Sequence, residues 1–169
     1  LRRQRQMCIR DSVTDYCDTN KDNKLSAAEC EAVQCIDLFE MKITKVADMT
    51  GIEHFTNLHE LIACNNQIAT LDLSGMTKLE KLDLSGCGKL QSLKLAGCTA
   101  LTAIDYSGTE AEWAQLTKGE NALPEGVAVN FNAPIHHYGS WTGTDPNCTT
   151  EGKRTRTCTD DGCGHTEEM

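Results

Sequence analysis

The sequence predicts an α/β solenoid, a short array of about 22-residue coils in which each coil is built from two equal half-units. Three observations carry this reading. An apolar phrase of the form Leu-x-x-Leu-x-Leu recurs through residues 58–109, at Leu58, Leu61 and Ala63, then Ile68, Leu71 and Leu73, then Leu79, Leu82 and Leu84. It continues at Leu90, Leu93 and Leu95, and at Leu101, Ile104 and Tyr106. From Ile68 onward the step is constant, through Leu79, Leu90 and Leu101. Two steps, Leu79 to Leu101, span the length in the low twenties that one coil needs. The third observation is turn chemistry: Ser74-Gly75, Ser85-Gly86, Ala96-Gly97 and Ser107-Gly108 punctuate the array once per half-unit.

A period of this length also describes a right-handed coiled coil. On a helix, however, offsets 0, 3 and 5 point in widely separated directions at about 100° per residue, and a glycine in every unit breaks the helix. In extended chain the last two apolar positions of each phrase share a face, and the glycine pairs supply the corners. Thirteen of the fifteen phrase positions are Leu or Ile, each worth roughly 1.5–3 kcal/mol when fully buried. One coil cannot bury its own face, so this energy is collected only by stacking, with about three repeats as the usual minimum. The array has about that number. Its ends are therefore expected to need caps or further repeats.

The phrase Leu58-x-x-Leu61-x-Ala63-x-x-Asn66-x-Ile68 resembles the leucine-rich repeat consensus, with Asn66 at the ladder asparagine. Met76, Cys87, Cys98 and Thr109 follow at the equivalent place. The resemblance implies that Asn, Cys and Thr there hydrogen-bond the turning backbone of the next coil, and that Met76 weakens the ladder. Cys87 and Cys98 are accordingly read as structural thiols in preference to disulfide or metal partners. Standing one half-unit apart, they are expected on opposite sides of a coil.

Residues 1–12 are basic at the front of a chain of net charge −9 and lack the apolar core of a signal peptide. The string Arg5-Gln6-Met7-Cys8-Ile9-Arg10-Asp11-Ser12 resembles translated sequencing-adapter read-through, so this segment is expected to be disordered and outside the fold. The acidic balance argues against nucleic acid as a partner. No apolar run approaches the length of a membrane span.

Residues 18–29 form the most specific short motif. Calcium takes six to eight oxygens from positions 1, 3, 5, 7, 9 and 12 of a tight loop. Those positions hold Asp18, Asn20, Asp22, Lys24 through its carbonyl, Ser26 and Glu29, with Leu25 at the apolar eighth place. Asn23 stands where Gly is usual, and Asn is the next most tolerant of a left-handed backbone. The competing reading is that Ser26-Ala-Ala-Glu29 is a capping box that starts a helix over 27–33. The loop resembles EF-hand and dockerin-type segments, and Glu29 favours the former. In bacterial surface proteins such a segment is often followed by leucine-rich repeats. Gly51-Ile52-Glu53-His54-Phe55-Thr56-Asn57-Leu58 matches the phrase that leads into the array in that group; Ile36-Asp37-Leu38 and Ile43-x-x-Val46 read as an irregular first coil.

Towards the end of the array, residues 108–116 read as an amphipathic helix with Trp113 and Leu116 on one face, and Val127-Ala-Val129-Asn-Phe131 alternates like a strand. Together they are read as a C-terminal helix-strand cap. From Pro134, the pattern Trp141, Cys148, Gly152, Arg154-x-Arg156-x-Cys158, Cys163-Gly164 resembles short Trp/Cys repeats appended to surface proteins of gut bacteria. In so short a segment His137, Cys148, Cys158 and Cys163 suggest zinc, or a disulfide with one ligand left over. The expected division is 1–12 outside the fold, 13–35 calcium-type loop and helix, 36–109 array, 110–132 cap, and 133–169 a small β-rich module that is cut short.

No Ser-His-Asp or Cys-His arrangement, phosphate loop or paired carboxylates stand apart from the repeats. The leading expectation is a non-catalytic, protein-binding or adhesion module, extracellular or at the cell surface. Its partner is a host or bacterial surface protein, met by the outward positions His59, Glu60, Ile62, Glu80, Lys81, Asp83, Thr102, Ala103 and Asp105. The alternative is an anchoring region of a larger extracellular enzyme, which a single loop disfavours because dockerins use two.

Overall fold

The computed structural model describes residues 9–116, 125–131, 142–144, 153–159 and 166–168. The chain divides into two compact units, Leu1–Pro134 and Ile135–Met169.

In the first unit the half-units become strands of two parallel sheets. Strands β1 (Cys35–Asp37), β2 (Glu60–Ile62), β4 (Lys81–Leu84), β6 (Ala103–Tyr106) and β7 (Ala128–Phe131) form one sheet in that order, and β3 (Thr70–Asp72) and β5 (Ser92–Lys94) form the other. From β2 to β6 the chain alternates between them, which explains why the sequence repeats at every half-unit while neighbouring strands lie two units apart. Leu61 pairs with Leu82 and Leu82 with Ile104; on the second sheet Leu71 pairs with Leu93. Side chains alternate along a strand, so these residues line the inside while their neighbours face out. Leu61, Leu82, Ile104, Leu71 and Leu93 are all buried in one core. This is an α/β repeat fold of parallel strands with few helices.

Turns between strands are built by the residues the period marks. Gly75, Gly86 and Gly97 all adopt positive φ, the left-handed conformation that costs glycine nothing. Asn66, buried, accepts from Val46 N–H at 2.8 Å and donates to Ala63 and Cys64 carbonyls at 3.2 and 2.9 Å. The Cys87 thiol donates to the Ala63 carbonyl at 3.2 Å and the Cys98 thiol to the Leu73 carbonyl at 3.1 Å. The two thiol bonds and the Val46 bond run to the preceding coil, a correction to the expectation that they reach the next one, while the Ala63 and Cys64 bonds of Asn66 stay in its own turn. The two thiols serve different sheets, as a separation of one half-unit requires, and burial pushes Cys87 up to about 11. Met76 is buried in the same slot. Thr109 leaves it altogether: its hydroxyl accepts from Glu112 N–H at 3.3 Å while its own N–H and hydroxyl donate to the Glu112 carboxylate. That reciprocal cap starts helix α3 (Glu110–Leu116).

Helix α3 buries Trp113 and Leu116, and Trp113 packs against Tyr106 and Phe131 with ring centroids 5.2 and 6.4 Å apart. Strand β7 pairs with β6 as the fifth strand of the main sheet. At the other end, helix α1 (Ile9–Cys17) places Ile9, Val13 and Cys17, each one helical turn from the next, in the core. Residues 9–12, within the segment expected to lie outside the fold, thus belong to a helix, because this spacing makes an apolar helical face. Helix α2 (Ala27–Ala32) ends one position short of the expected 27–33.

In the second unit β8 (Thr142–Thr144), β9 (Lys153–Thr157) and β10 (Thr166–Glu168) form an antiparallel sheet in the order β10-β9-β8. Among the described residues no helix is long and apolar enough to cross a membrane.

Gly108 connects β6 to the cap, and a Cβ there would stand 2.4 Å from the Tyr106 ring. Gly108→Ala should therefore displace Tyr106 from Trp113 and cost about 1–3 kcal/mol. Urea unfolding followed by tryptophan fluorescence measures it; an unchanged midpoint would show that the ring shifts freely.

Candidate functional site

The outer face of the five-stranded sheet carries two cross-strand rows, fixed by the parallel register. One runs Cys35, Glu60, Lys81, Ala103, Ala128, and the other Asp37, Ile62, Asp83, Asp105, Asn130. A third line, His59, Glu80 and Thr102, lies where the chain enters the strands: Glu80 N–H donates to the His59 carbonyl and Thr102 N–H to the Glu80 carbonyl. The register thus brings together all the outward positions expected from the sequence. Glu80, Lys81 and Thr102 are exposed, and His59, Glu60, Asp83, Ala103 and Asp105 half-buried.

Ile62 is the exception and a correction. It is only 4% exposed and offers no surface. It stands beside Asp37, whose carboxylate accepts from Phe39 and Glu40 N–H at 3.0 and 2.9 Å and so bends the following turn back at this end of the sheet. The Leu38 N–H completes the bend by donating to the Ile62 carbonyl.

Sequence reasoning missed Asp37 and Asn130 as members of the second row. The signal for Asp37 was available, because Asp occupies the middle of Ile36-Asp37-Leu38 as it does of Leu82-Asp83-Leu84 and Ile104-Asp105-Tyr106. Two of these acids also serve the turn that follows. Asp83 accepts from the Ser85 N–H and hydroxyl at 2.7 and 2.6 Å, as Asp37 does from its own turn. Asp105 accepts instead from the Asn130 side-chain amide at 2.7 Å, tying β6 to β7. Glu60 accepts from the Cys35 thiol at 3.7 Å. By contrast, the side chains of Glu80 and Lys81 make no hydrogen bond or ion pair among the described residues.

The 18–29 loop is the second candidate. Asp18 accepts from Lys21 and Asn23 N–H, both at 2.7 Å, Asn20 from Asp22 N–H and Asp22 from Lys24 N–H, both at 2.9 Å. These bonds wind the loop tightly, with Lys21 and Asn23 at φ 61° and 60°; Asn23 takes the left-handed turn expected of it. Ser26 and Glu29 form the capping box: Ser26 oxygen accepts from Glu29 N–H, and Ser26 N–H donates back to the carboxylate at 3.0 Å. The other carboxylate oxygen accepts from Thr19 N–H and hydroxyl at 2.9 Å and from Asn20 N–H at 3.2 Å. The capping reading and the alternating acidic loop are therefore both present, on the same residues. Among the described residues no group of three or more His, Cys, Asp and Glu is gathered as metal ligands. Of the residues expected to hold zinc, Cys158 is buried, whereas His137, Cys148 and Cys163 lie outside the described residues.

Residues 56–107, which hold β2 to β6, match the family model of leucine-rich repeats, as two copies. Such repeats generally mediate protein–protein binding and are typically non-catalytic. Neither curated proteins nor solved structures gave a match to the chain.

Hydrogen bonds from Ser26 first, then Thr19, hold the Glu29 carboxyl at about 2, below its ordinary 4.5. A carboxyl whose folded value is depressed stabilises the fold above its unfolded value and stops doing so as pH falls through the folded one. Between pH about 5 and 2 the parent should therefore lose more stability than Glu29→Gln, whose amide does not titrate in that range. Thermal unfolding across that window compares the two; parallel curves would remove Glu29 as the acid-sensitive clamp.

Proposed function

We propose that this protein is a non-catalytic protein-binding module of a secreted or cell-surface bacterial protein, meeting its partner on the outer face of the five-stranded sheet. The observation that carries this is the chemistry of the face. Glu60, Glu80, Asp83 and Asp105 stand around Lys81 on one surface, and among the described residues the side chains of Glu80 and Lys81 make no internal bond that explains them. The excess of acid favours a basic partner, whose approach is steered by charge and weakened by salt. Peptides of basic composition selected from a displayed library should bind the parent and lose at least tenfold in affinity to the combined variant Glu80→Ala, Asp83→Asn, Asp105→Asn. Asn at 83 and 105 keeps an oxygen for the Ser85 and Asn130 bonds while removing the charge. Selected peptides that bind both proteins equally would take this face out of the reading.

Calcium in the 18–29 loop is the second part of the proposal, supported by the alternation of Asp18, Asn20 and Asp22 and the left-handed Asn23. Asp18, Asn20, Asp22, the Lys24 carbonyl, Ser26 and Glu29 would supply the oxygens, Glu29 exchanging its Thr19 and Asn20 donors for the ion. A ligand that binds only the folded state stabilises it by about 2.7 kcal/mol at a hundredfold excess over Kd. Calcium titration should therefore raise the Tm of the parent and leave Asp18→Ala unmoved; an equal response in both defeats the site.

A further inference from the structure

We draw no further inference here: the strongest candidate, the side-chain cluster at the β1–β2 end of the five-stranded sheet where the half-buried Cys35 thiol meets the Glu60 carboxylate at 3.7 Å, is a lone cysteine on the outer face already described, and among the described residues no second observation there points to a ligand.

Discussion

Leu82 lies between Leu61 on one side and Ile104 on the other, and these contacts are the constraint on which everything else rests. No strand this short holds an apolar side chain away from water unless an equivalent position stacks on each flank. The parallel register that achieves this for the inner residues also fixes the outer ones. Once Leu61, Leu82 and Ile104 are aligned, Glu60, Lys81 and Ala103 form one line and Ile62, Asp83 and Asp105 another, with no freedom left to move. The candidate binding face is a by-product of core packing.

Stacking sets a second requirement, since every turn brings backbone polar groups into a dry interior. The chain meets it with a few side chains used repeatedly. Asn66 satisfies three backbone groups at the first turn, and Cys87 and Cys98 each supply a weak donor to a buried carbonyl in later ones. Asp37, Asp72 and Asp83 each bind the N–H groups just after their own strand. Among the described residues no buried side-chain nitrogen or oxygen is left without a partner. Past the last coil of the array the same economy holds: Thr109 occupies a ladder position in sequence and caps a helix in structure, because a helix and not another coil follows it.

Much of this was legible in the sequence because it is periodic. Strand positions, the inner row, the separation of Cys87 from Cys98, the Trp113 face and the fifth strand at 128–131 all follow from spacing alone. What spacing cannot give is direction or context. It marks Asn66, Cys87 and Cys98 as turn residues without saying that their bonds reach backward. It places Ile62 in the outward row, yet Ile62 is buried beside Asp37, its partner on the neighbouring strand, which spacing within one repeat does not foretell. The character of the string around Ile9 argues against structure there, while the Ile9, Val13, Cys17 interval already describes a helical face. The loop 18–29 supports two readings from spacing because the bonds that wind an acidic loop and those that cap a helix meet in one short segment closed by Glu29.

The double use of acids decides where partner specificity can reside. Asp37 and Asp83 have sufficient reason to be present in the turns they hold, and Asp105 in its bond to Asn130. Their charges contribute to the potential of the face but were not free to be chosen for it. Glu80 and Lys81 carry no such obligation. They lie in adjacent positions at the middle strand, and among the described residues their side chains hold no turn or strand together. Acidity of the surface is thus set mainly by the architecture, and under the proposed binding role it would favour basic partners. Under the same proposal, discrimination among such partners would fall to the few outward residues, Glu80 and Lys81 foremost, that the repeat does not itself need.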